Sequence, residues 1–202
     1  MKKVLQSMLI ILISFILIIT FTPTKKVYAG YFEAPQHNKI YKIRNVQTGK
    51  FLNVNYGTDA NGTNVIQWTE DGSIEQKWKV VFVGENDFKL YSMCSSNGNN
   101  RVLDVLRTGG SSNGTIESGN NVDIWADNDS EAQTWKYNFE ENGYCTLYLS
   151  SNSDLMLTVY GTGNGSSAGK STTSQGNVFV GYSNLADNPN NGTYCLWEFI
   201  EV

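Results

Sequence analysis

The sequence predicts an all-β domain made of three copies of one unit, arranged with pseudo-threefold symmetry. A motif of the form Gly-x-x-apolar-x-x-aromatic begins at Gly62, Gly119 and Gly176, so the copies are 57 residues apart. Short runs in which apolar and polar residues alternate lie between loops rich in Gly, Asn, Ser and Asp. Beyond residue 29, no segment keeps the 3.6-residue apolar period of an amphipathic helix.

The N-terminal 29 residues have the pattern of a signal peptide. Two lysines precede an apolar run at residues 8–21, and a small-residue cleavage pattern ends at Ala29. The alternative is an uncleaved anchor, but a membrane span needs about 20 apolar residues and this run is shorter. We therefore expect a secreted, extracellular protein with no membrane span in its mature form, in which residues 30–37 are an N-terminal segment.

Charge and composition exclude several functions. The formal net charge is −4, and removal of residues 1–29 takes away four lysines and no acid, which leaves −8. Without a basic excess, a nucleic-acid partner is not expected. His37 is the chain's single histidine, and the sequence has no zinc-binding histidine pair or phosphate loop. We predict a protein with no catalytic residue, metal or cofactor.

The repeat occupies residues 38–202, with units at about 38–85, 86–142 and 143–202. Each unit has an opening strand, an alternating strand, the glycine-to-aromatic motif and a tryptophan-containing strand. The opening strands begin near Tyr41, Phe88 and Thr146, and the alternating strands span residues 51–54, 102–105 and 156–159. Three units of about four short strands can close around a common axis, which removes free sheet edges.

A second motif follows each copy and carries a family resemblance. It reads Gln76-Lys77-Trp78, Gln133-Thr134-Trp135 and, in degenerate form, Cys195-Leu196-Trp197. Gly-x-x-Val-x-x-Trp followed by Gln-x-Trp, repeated behind a signal peptide, resembles the ricin B-type lectin family. The resemblance implies a β-trefoil in which Trp78, Trp135 and Trp197 fill the core, and in which Gln76 and Gln133 bond to backbone. A large aromatic that recurs by symmetry also suits a barrel core.

The resemblance further implies sugar binding, and the second repeat has the most complete set of candidate sugar-binding residues. A pyranose stacks its C–H face on an aromatic ring, and a carboxylate can accept hydrogen bonds from two of its hydroxyls. Asp104 would be the anchoring carboxylate and Trp125 the platform, with Asp123 and Asn128 as polar partners. Ala132 stands where the family has an amide. The alternative is that Asp104 is the polar side of a strand and Trp125 a packing residue.

The other two repeats depart further from the family pattern. In the first, Asn53, Trp68 and Glu75 form a weaker second site, because an amide replaces the aspartate and Ile66 replaces the polar partner. In the third, Thr158 and Val180 occupy those two positions, and only the aromatic Tyr182 remains. We expect the third repeat to be structural and silent.

Two further local patterns give separate hypotheses. The chain has three cysteines, Cys94, Cys145 and Cys195, and the last two flank the first and last strands of the third repeat. A disulfide between Cys145 and Cys195 is therefore a candidate. The acids in residues 127–131 imitate the start of a calcium loop, but the glycine required at the sixth position is Ala132, so a solvated turn is expected.

Two functional hypotheses stay open from the sequence. The first is a secreted, non-catalytic lectin that binds glycans or glycoconjugates in shallow pockets, with galactose-type ligands implied by the resemblance. The alternative is a secreted trefoil that binds a protein partner, as a toxin accessory or receptor-binding subunit or as an inhibitor. Either could assemble with a toxin or enzyme subunit.

Overall fold

The computed structural model describes residues 34–95, 100–110, 113–140, 142–166, 174–182 and 193–202. The expected signal peptide, residues 1–29, lies outside the described residues. Within them the chain forms strands joined by turns and short 3-10 segments. The strands are β1 Ile40–Asn45, β2 Phe51–Val54, β3 Thr63–Trp68, β4 Lys77–Phe82, β5 Phe88–Ser92, β6 Arg101–Val105, β7 Val122–Ala126, β8 Trp135–Phe139, β9 Cys145–Leu149, β10 Asn152–Tyr160, β11 Val178–Tyr182, β12 Thr193–Tyr194 and β13 Leu196–Glu201.

Six of these strands close into a barrel. The antiparallel pairs run β1–β4, β4–β5, β5–β8, β8–β9, β9–β13 and β13–β1, so the last strand returns to the first. Each repeat supplies two of the six, and the turns between repeats are β4–β5 and β8–β9. A closed barrel leaves no sheet edge unpaired, as the threefold repeat requires.

Three hairpins, β2–β3, β6–β7 and β10–β11, cover one end of the barrel. They also touch one another: β3 pairs with β7, Ile66 bridges to Asn177, and Asn121 bridges to Phe179. A six-stranded barrel capped by three mutually contacting hairpins is a β-trefoil, which is the predicted fold. The hairpins place the ends of β6 and β7 at the protein surface, where the candidate site lies.

The repeated tryptophans occupy the centre of the core. Trp78, Trp135 and Trp197 are all fully buried. Each indole N–H donates to a backbone carbonyl in its own repeat, over 3.0, 3.2 and 2.9 Å; the acceptors are Leu52, Leu103 and Leu157 respectively. Because the tryptophan N–H groups are satisfied, the large rings can be buried without leaving an unpaired donor.

The preceding glutamines bond to backbone at the ends of the hairpins. Gln76 donates to the carbonyl of Thr69 at 2.9 Å, and Gln133 donates to the carbonyl of Ala126 at 3.0 Å. In the third repeat this position holds Cys195, which is also buried. Each of the two glutamines therefore links the 3-10 segment before its tryptophan to the end of a hairpin in the same repeat.

The third hairpin differs in register from the sequence alignment. Val178 lies opposite Val159, as the corresponding valines face each other in the other two hairpins. Counted from that pair, the residue equivalent to Trp125 is Gly181, and Tyr182 comes one position later. The alignment of Tyr182 with the tryptophans was therefore wrong, because the third copy has one residue fewer between its glycine and the following asparagine. A shift of one residue reverses the face to which a strand side chain points.

The structure does not form the candidate disulfide. Cys145 lies opposite Trp197 across β9 and β13, and its thiol donates to the Trp197 carbonyl at 3.5 Å. Cys195 precedes Trp197 by two residues, so the two cysteines are diagonal neighbours. Diagonal neighbours stand about 7–8 Å apart, whereas a disulfide needs Cα atoms about 4.4–6.8 Å apart.

Candidate functional site

The second repeat contains a pocket of about 150 Å³ between the end of β6 and the turn that follows β7. Three of the four residues predicted for this repeat, Asp104, Trp125 and Asn128, lie in its wall. The remaining wall includes Arg107, Gly110, Ser130 and Ala132. A carboxylate, an indole and an amide therefore converge on one concave surface.

Asp104 supplies the carboxylate from within β6. The residue is only 8% exposed, and burial raises the pKa of Asp104 to about 6. A hydrogen bond with Gln133 and the positive charge of Arg107 act in the opposite direction. Asp104 is thus ionised at neutral pH in a poorly hydrated place, where a carboxylate gains from hydrogen-bond donors brought by a ligand.

Trp125 supplies an accessible ring near the end of β7. It is 38% exposed, and on its inner side it meets a loop of the first repeat. At Gly62 in that loop, a Cβ would lie 3.6 Å from Cζ3 of Trp125. The loop is held by Arg101, which donates to Asp59 at 2.6 Å, and by Asn61, whose side chain accepts from the Ala126 N–H at 2.8 Å. A loop of the first repeat therefore packs against the Trp125 ring of the second repeat.

Residues 127–130 form the turn that carries Asn128 and Ser130 to the pocket. The Asn128 N–H donates to Gln133 at 3.0 Å, and the Ser130 N–H donates to the Asn128 side-chain oxygen, also at 3.0 Å. Asp127 and Asp129 both bind the ammonium of Lys89. One ammonium thus offsets part of the charge of the two carboxylates. Among the described residues, no group of three or more His, Cys, Asp or Glu side chains could hold a metal ion.

Asp123, expected as a polar partner of the sugar, does not line the pocket. It is fully buried, because β7 is paired on both sides at this point: Asp104 lies opposite on β6 and Asn64 on β3. Its carboxylate lies toward Gly62, where a Cβ would be 3.9 Å away. The neighbouring repeat therefore covers the position that sequence reasoning assigned to the ligand.

Arg107 is a pocket residue that sequence reasoning missed. Its guanidinium donates to the Gly114 carbonyl at 3.0 Å and to Glu131 at 3.1 Å. Arg107 is a basic residue three positions after Asp104, whereas the sequence pattern pointed to acids, amides and aromatics. Its closeness to Asp104 in the sequence could have indicated that Arg107 lies at the same pocket.

In the first repeat, the predicted residues Asn53, Trp68 and Glu75 occupy equivalent positions with different chemistry. Asn53 is 4% exposed and its side-chain nitrogen donates to the Val54 carbonyl at 2.9 Å. Trp68 is 36% exposed, like its counterpart Trp125. The Glu75 side chain packs on Gly57, where a Cβ would be 2.7 Å from its Cγ. A neutral amide thus replaces the anchoring carboxylate.

The third repeat has no equivalent platform at its described positions. Gly181 stands where the tryptophans stand, and Phe179, rather than Val180, lies opposite Thr158. Thr158 is fully buried and its hydroxyl donates to the Met156 carbonyl at 3.0 Å. Tyr182 is 43% exposed but is displaced by one residue.

Within the described part of the chain, we find no helix long and apolar enough to span a membrane.

Comparison with solved structures identifies β-trefoils. The designed threefold-symmetric protein ThreeFoil is 24% identical, with a TM-score of 0.62, covering 81% of this chain and 99% of that one. An exo-β-1,3-galactanase from Clostridium thermocellum is 25% identical, with a TM-score of 0.62, covering 84% of this chain but only 32% of that one. The Macrolepiota procera ricin B-like lectin, solved with lactose, is 16% identical, with a TM-score of 0.53, covering 81% and 97%.

The family comparison agrees with these structures. No curated protein matches the chain significantly. Residues 31–117 match the model of the ricin-type beta-trefoil lectin domain-like family. This segment contains the whole first repeat and Asp104. The match over residues 31–117 and the similar solved structures agree with the resemblance seen in the sequence.

Proposed function

We propose that this protein is a secreted, non-catalytic lectin whose second-repeat pocket binds one sugar unit of a glycan. The observation that supports it most is that a buried carboxylate, Asp104, and an exposed indole, Trp125, face the same pocket. One group suits the hydroxyls of a pyranose and the other its C–H face. Their convergence favours a binding site over the alternative in which both residues are structural.

The pocket chemistry assigns each residue a role. Asp104 accepts hydrogen bonds from two neighbouring hydroxyls, and these are strong because the acceptor is charged. Trp125 stacks on the apolar face of the ring. Asn128 and Ser130 add neutral hydrogen bonds from the turn. A pocket of about 150 Å³ buries little of a glycan, so each site is weak and useful avidity needs several copies or sites.

The proposed ligands are galactose-type glycans outside the cell. The family resemblance favours them, and two of the similar structures are a lectin solved with lactose and an exo-β-1,3-galactanase. Export follows from the expected signal peptide, residues 1–29. The galactanase is much longer than this chain, so covalent or non-covalent association with an enzyme or toxin subunit is compatible with the proposal.

A glycan array probed with the processed chain, residues 30–202, tests the proposal. We expect binding to galactose-terminated glycans, lost in Asp104→Ala although this variant still shows a cooperative melting transition. Thr158→Ala is the matched control, since Thr158 is the equivalent residue of the third repeat, and it should retain binding. If no glycan binds while a defined protein is captured, the lectin proposal fails and the protein-binding alternative takes its place.

A further inference from the structure

We propose that Lys89 is a positioning residue of the second-repeat pocket: its buried ammonium holds residues 127–130 so that Asn128 and Ser130 face the ligand. This inference rests on the proposed function for its ligand, but its structural part stands on contacts within the chain. Lys89 lies on β5 and does not itself line the pocket.

Lys89 is unusually buried for a lysine. The residue is only 2% exposed, and its ammonium is 2.5 Å from Asp127 Oδ1 and also binds Asp129. The hydroxyl of Tyr91 donates to the second oxygen of Asp127. A buried ammonium without acidic partners would be costly, so both carboxylates are held at this place. Asp127, whose side chain is 20% exposed, is therefore the main anchor of the turn to the barrel wall, and Asp129, whose side chain is 93% exposed, is a weaker second anchor.

Protonation equilibria agree with a persistent ion pair. Burial lowers the pKa of Lys89, but the hydrogen bonds with Asp127 and Asp129 outweigh it and leave the pKa above its ordinary value. For Asp127, burial is likewise outweighed by the hydrogen bonds from Lys89 and Tyr91, so its pKa is lowered. Both groups stay charged across the physiological range.

The backbone of the turn indicates why a second acid is present. Asp129 has a φ of 57°, in the left-handed region that favours glycine, and the equivalent residue of the first repeat is Gly72 at 75°. A non-glycine residue there carries a backbone cost. The side chain of Asp129 is 93% exposed, so its ion pair with Lys89 is screened by solvent and offsets only part of that cost.

The three repeats show that this clamp accompanies the binding platform rather than the barrel. Tyr41, Phe88 and Cys145 lie opposite the three core tryptophans, so the residues that follow them, Lys42, Lys89 and Thr146, are equivalent. Lys42 binds Glu70, the counterpart of Asp127. Only the third repeat, whose platform position is Gly181, has threonine instead of lysine. A clamp needed by the barrel itself would be expected in all three repeats.

The test measures the order of the turn and ligand binding separately. In Lys89→Met, we expect faster amide hydrogen exchange at residues 127–130, unchanged exchange in the barrel strands, and roughly tenfold weaker binding of lactose, because a preorganised site loses affinity when it must be ordered on binding. Lys89→Arg should restore both properties. Lys136→Met is the control, since Lys136 lies 3.6 Å from Asp87, outside the pocket.

Asp129→Gly keeps the test decisive if Lys89→Met does not fold. Glycine suits the left-handed backbone, so this variant should fold while losing one of the two contacts; we expect faster exchange in the turn and about two- to threefold weaker binding. Unchanged exchange at residues 127–130, or equal acceleration in all three repeats, would overturn the proposal. If the wild type binds no lactose, the galactose assignment fails, and hydrogen exchange alone decides whether Lys89 orders the turn.

Discussion

The side-chain nitrogen of Asn121 donates to the side-chain oxygen of Asn64 at 2.8 Å, where the hairpins of the first two repeats meet. Asn64 donates in turn to Asn177, and Asn177 donates back to Asn121, both at 3.0 Å. The three amides thus form a closed ring across the pseudo-threefold axis, and all three are buried. Each repeat contributes one donor and one acceptor, so the ring is complete only when all three hairpins are docked.

Replacing one member should therefore destabilise the whole cap. In Asn121→Ala, the oxygen of Asn64 and the nitrogen of Asn177 both lose their partners, and we expect a loss of about 2–5 kcal/mol in the free energy of unfolding. Urea denaturation measures it. The double variant Asn64→Ala/Asn121→Ala should cost less than the sum of the single variants, because each disrupts the same ring. Simple additivity would contradict a shared network.

The ring also shows where the sequence alignment lost accuracy. The glycines that begin the motif keep a spacing of 57 residues, but Asn121 and Asn177 are only 56 apart. An alignment on glycine hides the missing residue, whereas the hydrogen-bonded asparagines and the facing valines reveal it. The all-β fold and the core tryptophans could be predicted because they depend on patterns within each repeat. Register in the third hairpin could not, because packing against the other hairpins sets it.

The same distinction applies to the candidate site. Asp104, Trp125 and Asn128 belong to one repeat and lie near one another in sequence, so the family pattern could bring them together. Burial of Asp123 depends on β3, and the order of the turn depends on Lys89, and neither neighbour is adjacent in sequence. Contacts between distant strands are the part that composition and spacing do not specify.

The two kinds of tryptophan should respond differently to truncation. Trp135 is fully buried, so Trp135→Ala leaves a large cavity and should cost about 3–5 kcal/mol of stability. Trp125 is partly exposed at the pocket, so Trp125→Ala should cost less stability than Trp135→Ala and should abolish glycan binding. Thermal melts together with lactose titration separate the effects. A folded Trp125→Ala variant that binds normally would contradict the platform role.

Glycan binding should weaken in mild acid. The ionised form of Asp104 accepts much stronger hydrogen bonds from hydroxyls than the protonated form does, and its pKa is about 6. Between pH 7 and pH 5 the ionised fraction falls, so affinity should drop roughly tenfold. Asp127 should not titrate in this range, since its pKa is lowered. Isothermal titration at several pH values measures the effect, and an affinity that is equal at both pH values would contradict the anchoring role.

Stability should change in the opposite direction over the same range. The pKa of Asp104 is higher in the folded state than in the unfolded chain, so the folded protein binds this proton more tightly. As pH rises from about 4 through 6, the Asp104 contribution therefore falls, by roughly 3 kcal/mol at most. Asp104→Asn removes this titration. The difference in unfolding free energy between wild type and this variant should shrink from pH 7 to pH 4; a constant difference would contradict the raised pKa.

The cysteines provide a chemical test of the third repeat. Burial raises the pKa of the Cys145 thiol well above its ordinary value, and the thiol already donates to the Trp197 carbonyl. Since the thiolate is the reactive form, Cys145 should resist alkylation in the native protein, and reductant should not alter the melting temperature. Denatured but unreduced protein should titrate as three thiols. Titration of a single thiol would instead indicate the Cys145–Cys195 disulfide, and β9 and β13 would then have to shift to bring the two residues together.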